Sequence, residues 1–248
     1  MKNSSQAAIP FELIEKLRSA HHIAVLTGAG ISAESGVPTF RDAQTGLWSQ
    51  YSAEELATPK AFERDPRLVW SWYRWRRGLI SKADPNAGHL ALVDMESLAP
   101  QFTLITQNVD GLHGRAGSSS VIELHGNIMR SKCTIDSELF EADETSQDLP
   151  RCPSCGALLR PDVVWFGETV PLASFNKAFR AAQGCNIFLS VGTSTVVQPA
   201  ASLPLEARNA GAITIEINIQ ETVITPYFDY SLTGSAALLL PALVGTMR

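Results

Sequence analysis

The chain has 248 residues, 45% of them hydrophobic, with a formal net charge of −5 and a mean hydropathy near zero. That length can bury a sizeable core, and one domain with a small inserted module is the natural expectation. The acidic balance argues against non-specific nucleic-acid binding, and the chain has no apolar run of the ~18 residues that a membrane span needs.

Residues 1–10 are polar and lack an apolar stretch, so no signal peptide is expected. Residues 10–20 carry Phe11, Ile14 and Leu17 at helical spacing. Residues 23–26 form a short β-branched run that reads as a buried strand and leads straight into Gly28-Ala29-Gly30. Glycines there allow a sharp turn and close approach to a phosphate, and N–H groups at a helix start offer anion contacts. Gly28-x-Gly30-x-x-Ala33 fits the loose dinucleotide-binding pattern, yet Gly36 and Pro38 stop the following helix within about two turns.

Residues 44–59 read as irregular, after which Asp65-Pro66 caps a helix of about 15 residues ending near Ser81. Residues 88–98 form a further helix and residues 102–106 a strand that ends in Gln107-Asn108-Val109-Asp110. A short strand over 121–124 ends at His125-Gly126. Residues 133–160 are polar and acidic and look like a small insertion. Strands over 187–191 and 212–217 end in Gly192-Thr193-Ser194 and Asn218, with helices over 199–210 and 235–244. Strands alternating with helices predict an α/β fold: a Rossmann-like parallel sheet with helices on both faces. In such sheets ligands bind at the carboxyl ends of the strands, so Gly28, Gln107, Gly192 and Asn218 should converge on one crevice.

Gln107 to Asp110 offers amides and a carboxylate suited to ribose hydroxyls and a carboxamide; alone it would read as a polar turn. His21, His22, His89 and His113 read as core or surface residues, and Cys185 as a buried apolar residue. Val69, Tyr73, Arg76 and Ile80 share one stripe of the helix after Pro66. An arginine on that stripe needs a partner, either a protein carboxylate or water reached by snorkelling. Arg74 and Arg77 point elsewhere and are expected to be solvated. Eighteen residues separate Cys133 from the Cys152-Pro-Ser-Cys155 knuckle, the gap of four-cysteine zinc ribbons. Asp136 stands where the fourth cysteine is expected. A structural Zn2+ held by Cys133, Asp136, Cys152 and Cys155 is one reading; a labile site completed by water, or an insertion held without metal, are the others. These cysteines suit a reducing compartment, and a cytoplasmic setting is expected.

The run from Gly28 through Phe40, Arg41 and Asp42 resembles the opening motif of the sirtuins, NAD-dependent protein lysine deacylases. Gln107-Asn108-Val109-Asp110, Glu123-Leu124-His125-Gly126 and Gly192-Thr193-Ser194 with Asn218 extend the resemblance over nearly the whole chain. It implies NAD as co-substrate, bound by Gly28, Ala29, Gly30, Ser32, Glu34, Phe40, Arg41, Gln107, Asn108, Asp110, Gly192, Thr193, Ser194, Asn218 and Ala236. Asn108 and Asp110 would hold NAD in a reactive conformation, His125 would be the general base for a ribose hydroxyl, and Phe40 would shield the reacting centre. The acyl-lysine oxygen would attack ribose C1′ as nicotinamide leaves, and the acyl group would pass to ADP-ribose.

The resemblance also implies that Val164, Phe166, Gly167 and Glu168, with the loop at Val196 and Val197, sandwich the substrate peptide as an added strand. Tyr73-x-x-Arg76 is similar to the signature of the sirtuin class that takes succinyl and malonyl groups, with Arg76 gripping the distal carboxylate and the small Ala57 leaving room. The partners implied are acyl-lysine proteins, with no nucleic acid and no membrane, and the chain is expected to be a monomer. A large lobe of residues 1–37, 81–126 and 166–248 and a small lobe of 38–80 and 127–165 follow. An NAD-dependent ADP-ribosyltransferase, a dehydrogenase and a non-catalytic NAD-sensing module are the rival readings.

Overall fold

The apolar run after residue 21 is the central strand of the sheet. The structure, a computed structural model, describes residues 9–37, 51–141 and 148–248. In chain order the first elements are α1 (Phe11–Ser19), β1 (His22–Thr27), α2 (Ala29–Ser32), α3 (Ala53–Leu56), α4 (Pro59–Arg64), α5 (Pro66–Ile80) and α6 (Ala87–Leu98). Then come β2 (Gln101–Thr106), α7 (Leu112–Ala116), β3 (Val121–Glu123), β4 (Gly126–Cys133), β5 (Leu139–Glu141) and β6 (Leu159–Val163). The last are α8 (Leu172–Gly184), β7 (Ile187–Val191), α9 (Leu203–Asn209), β8 (Ile213–Asn218), β9 (Tyr230–Thr233) and α10 (Ala236–Gly245).

All six residues of β1 are buried, as expected of a parallel strand covered on both faces. Its side chains alternate between two cores. Ile23 and Val25 pack with α1, α6 and α10 through Leu13, Leu17, Leu92, Met95 and Leu240, while Ala24 and Leu26 pack with α8 and α9 through Ala178, Ala182, Leu203 and Ala207. The six strands are all parallel, in the order β3-β2-β1-β7-β8-β9. The order reverses between β1 and β7, so the crevice of the fold opens at their carboxyl ends. The sheet covered on both faces is the expected one; α8 and β9 are elements that the sequence reading left out.

The polar insertion is more ordered than its composition suggests. It builds a three-stranded antiparallel sheet, β5-β4-β6, whose apolar side packs with α4 and α5 around Trp70, Trp72, Tyr73 and Trp165. Within the stretch expected to be irregular, α3 forms, and Thr58 caps α4 by accepting a hydrogen bond from Ala61 N at 3.1 Å. Asp65 caps α5 by accepting from Leu68 N at 3.0 Å, with Pro66 in the first turn, as expected. Among the described residues, no helix is long and apolar enough to cross a membrane.

One arginine of α5, Arg77, departs from the expectation of solvation, while Arg74 stays partly exposed. Arg77 is only 1% exposed. Its Nε donates to Ile128 O at 2.5 Å, its Nη2 donates to Arg130 O at 2.9 Å, and its guanidinium stacks 5.1 Å from the Trp70 ring. Arg74 Nη2 donates to Asp148 O at 2.6 Å. The reason lies in the tertiary contacts: one stripe of α5 faces the crevice and β4 covers a second, so the helix is buried around more than one face. Arg77→Met leaves two β4 carbonyls without their donor. It should lower the unfolding free energy by about 2–4 kcal/mol, read from the midpoint of denaturant unfolding.

Candidate active site

The crevice is built on glycine contacts between the turns after β1 and β7. A Cβ on Gly28 would lie 2.7 Å from Thr193 Cβ, and one on Gly30 would lie 2.7 Å from Gly192 Cα. Gly192 has φ +59°, and a Cβ there would sit 2.5 Å from Ile31 N. The contact is closed by Gly28 N donating to Val191 O at 3.0 Å and Gly30 N to Gly192 O at 2.8 Å. The amides of Gly28 and Gly30 are taken by protein carbonyls, and the lack of side chains at these glycines allows the close approach of the two turns.

Around that contact the polar motif forms a network. Gln107 Nε2 donates to Thr193 Oγ1 at 2.9 Å, and Asn108 Nδ2 donates to Gly28 O at 3.0 Å and Ser32 Oγ at 3.2 Å. Asp110 is buried; its Oδ2 accepts from Ser32 Oγ at 2.7 Å and its Oδ1 accepts from Leu112 N at 2.9 Å. His125 Nδ1 lies 3.0 Å from Gln107 O. A carbonyl only accepts, so Nδ1 carries the proton and Nε2 keeps a free lone pair. Burial pushes the His125 pKa below its ordinary value against the opposing pull of that carbonyl. The lowered pKa favours the neutral ring at pH 7.

His89 and His113 are buried behind this network, their rings 4.9 Å apart. His113 Nε2 meets Thr27 Oγ1 at 2.9 Å, and burial pushes its pKa down to about 3. It is a core histidine as expected but not a fully satisfied one, since Nδ1 has no hydrogen-bond partner among the described residues.

A single cavity of about 430 Å3 holds most of the expected site. Gly28, Ala29, Gly30, Ser32, Gln107, Asn108, Asp110, His125, Gly192, Thr193 and Ser194 line it toward the crevice, and Ala57, Arg76, Val164, Phe166, Gly167, Glu168 and Val197 line it toward the insertion. Ile80, Val109 and Trp165 also line it and were not singled out, although each sits inside a stripe or motif that was. A groove of about 690 Å3 between the start of β2 and α8 contains none of the expected residues.

Four expected residues stand off the cavity. Tyr73 is fully buried behind it, its hydroxyl accepting from Trp165 Nε1 at 2.8 Å. Asn218 Nδ2 donates to Thr193 O at 3.0 Å, Glu34 accepts from Ser235 Oγ, and Ala236 is buried at the start of α10. Phe40 and Arg41 lie outside the described residues. Glu168 lines the rim, yet its carboxylate is engaged: it takes Arg160 Nη1 at 2.5 Å and Nη2 at 2.8 Å, and accepts from Trp165 N at 2.8 Å. Arg76 is 7% exposed, stacks 5.2 Å from the Trp72 ring, and is held below its ordinary pKa by burial.

At the far end of the insertion, the donor atoms of Cys133, Asp136, Cys152 and Cys155 all lie within 4.8 Å of one another. Sγ of Cys133 and Cys155 are 3.6 Å apart, close to the ~3.8 Å edge of a tetrahedron with Zn–S bonds of about 2.3 Å. Ile135 N donates to Cys133 Sγ at 3.4 Å and Cys152 O accepts from Gly156 N at 2.8 Å, which fold both knuckles around the cluster. Three thiols and one carboxylate fit a structural zinc ion. Purified protein should carry about one zinc per chain, and Cys152→Ser should lower both metal content and the unfolding midpoint. Elemental analysis beside thermal unfolding reads both; metal-free protein of full stability would count against the site.

The chain matches the Sir2 family model over residues 28–199. It is 52% identical over 243 residues to an NAD-dependent protein deacylase of Pyrococcus furiosus, covering 95% of this chain and 97% of that protein. It is 51% identical over 229 residues to an NAD-dependent protein deacylase of Aquifex aeolicus, covering 92% of this chain and 95% of that protein. Among solved structures, a Sir2 homologue–NAD complex superposes with a TM-score of 0.92 at 46% identity, covering 97% of this chain and 94% of the other. A Sir2 homologue mutant with 2′-O-acetyl ADP-ribose superposes with a TM-score of 0.90 at 46% identity, covering 97% of both chains. With the glycine crevice, the Gln107–Asp110 network and these matches together, the chain belongs to the Sir2 family.

Proposed function

We propose that this chain is an NAD-dependent protein-lysine deacylase that releases nicotinamide and passes the acyl group to ADP-ribose. The observation that carries the reading is one cavity whose lining runs from the glycine crevice, through Asn108, Asp110 and the neutral imidazole of His125, to Ala57 and Arg76. The relatives named NAD-dependent protein deacylases and the Sir2 homologue structures with NAD and 2′-O-acetyl ADP-ribose support it.

Bound NAD supplies an electrophilic ribose carbon and the hydroxyl that accepts the acyl group. The residues of this chain do the rest. Asn108 and Asp110, tied to one another through Ser32, hold the nicotinamide ribose end. His125 Nε2 takes the proton of a ribose hydroxyl, while Gln107 O holds the ring from behind. Phe166 and Val197 flank the mouth with 45% and 44% of their surface exposed, which suits the two walls of a cleft that takes an extended peptide. The substrates in this reading are acyl-lysine proteins; a cysteine set suited to metal binding supports a reducing compartment, here the cytoplasm.

For the acyl group the reading is finer: a short dicarboxylic chain such as succinyl or malonyl. Arg76 lines the cavity near the small, buried Ala57, and a guanidinium grips a carboxylate with two parallel hydrogen bonds. Acetyl-, malonyl- and succinyl-lysine peptides with NAD, followed by nicotinamide release and product mass, test both levels. Modified protein in place of acyl-ADP-ribose would favour ADP-ribosyl transfer.

His125→Ala should cut turnover by about 10²–10⁴-fold while NAD still binds. The base works only when neutral, and its pKa is lowered. Activity should therefore persist as pH falls through 6.5 and drop at lower pH as the ring takes up a proton. An acid limb above pH 6.5 would contradict the assignment. Arg76→Met should lower kcat/KM on succinyl-lysine by roughly 30- to 1,000-fold, the equivalent of about 2–4 kcal/mol, and change acetyl-lysine far less. An unchanged succinyl-to-acetyl ratio would make Arg76 a structural residue.

A further inference from the structure

His125 sits where the chain leaves one sheet for the other. β3 ends at Glu123 and β4 begins at Gly126, so the base lies between two ladders and within neither. Leu124 N donates to Thr106 O at 2.9 Å on one side, and Ile128 N donates to Val109 O at 2.8 Å on the other. Between those anchors the backbone turns at Gly126, with φ +82°, and a Cβ there would collide with Asp162 O on β6. The carbonyl of His125 itself accepts from Val164 N at 2.9 Å.

Side chains close this turn from behind. Glu123 stands two residues before the base and Asn127 two residues after it. Asn127 Nδ2 donates to Glu123 Oε1 at 2.7 Å, and Asn127 Oδ1 accepts from Met129 N at 2.9 Å. The second carboxylate oxygen, Glu123 Oε2, accepts from Arg130 Nη2 at 2.6 Å, and Arg130 Nε donates to Asp162 Oδ2 at 3.0 Å. These three residues line a polar pocket of about 260 Å3 behind Asn108 and Asp110, and none of them lines the cavity that holds His125.

We propose that Glu123 is a positioning residue for His125: its carboxylate spans the base from the residue two before it to the residue two after it, and anchors that span through Arg130 to β6. A brace that only joined β3 to β4 would need one oxygen on Arg130. The other oxygen, on Asn127, closes a short loop with His125 at its centre. The inference rests on the reading of His125 as the general base, and adds the group that fixes where its Nε2 stands. Placement of that kind matters, because a shift of about 1 Å in a reacting group can cost up to about 10²-fold in rate.

Glu123→Ala should lower kcat for acyl-ADP-ribose formation about 10-fold, with KM for NAD and for an acetyl-lysine peptide within about two-fold. Glu123→Gln keeps one acceptor oxygen for the span and should lose only about three-fold, the size of one oriented hydrogen bond. Incorporation of labelled nicotinamide into NAD in the presence of peptide reads the step before the base acts, and should stay within about two-fold in both variants. In a His125→Ala background, Glu123→Ala should remove no more of the residual turnover. Asn127→Ala breaks the span but leaves the Glu123–Arg130 pair, and it carries the same test should Glu123→Ala fail to fold. Nicotinamide exchange that falls in step with kcat, or an undiminished loss in the His125→Ala background, would make Glu123 a structural brace only. Wild-type protein with no turnover of acyl-lysine peptides would overturn the deacylase reading and this inference with it. Wild-type turnover that Glu123→Ala and Asn127→Ala leave unchanged would overturn this inference alone.

Discussion

The close approach of the turns after β1 and β7 is the constraint on which the site depends. Gly28, Gly30 and Gly192 meet with less room than any side chain needs, and the contact is closed by the Gly28 amide on Val191 O and the Gly30 amide on Gly192 O. This happens where the strand order reverses, so the same contact that joins the two halves of the sheet also opens the crevice. Because backbone meets backbone there, the side chains that follow each strand are brought within hydrogen-bond reach. Asn108 can bond the Gly28 carbonyl, and Gln107 can bond the Thr193 hydroxyl.

From that contact a chain of dependence runs outward. Ser32 receives Asn108 and donates to Asp110, and the carbonyl of Gln107 sets the tautomer of His125. Each polar group is held by another polar group in a place where water is scarce, which makes these bonds stronger and their geometry narrower. The lowered pKa of His125 follows from the same burial and favours the neutral ring. Preorganisation and protonation state therefore have one origin.

The other end of the cavity obeys a different logic. α5 carries two arginines one residue apart, both buried, with opposite duties. Arg77 is tied to β4 carbonyls and holds the insertion to the helix, while Arg76 lines the cavity. A 100° turn per residue is enough to place one guanidinium against β4 and the next on the cavity wall. The same helix contributes Tyr73 to the aromatic group around Trp165, so the shape of the acyl end and the attachment of the insertion are built from one element.

Local sequence alone determined the parallel sheet, its strand-end motifs, the capped start of α5 and the spacing of the cysteine knuckles. Each of these rests on neighbours in the chain: period-2 and period-3.6 patterning, proline after a capping aspartate, glycines after an apolar run. Only the tertiary structure decided that Arg77 is buried, because its partners lie 51 and 53 residues away on β4, a strand that local patterning did not mark. It also decided that the Gly28 and Gly30 amides serve the protein itself, since the carbonyls they meet belong to a strand far along the chain. The direction in which Tyr73 can hydrogen-bond was hidden for the same reason: its partner Trp165 is 92 residues distant. Patterning reports which face of an element is apolar, but the polarity of a buried hydroxyl depends on what packs against that face, and packing is a property of the folded chain.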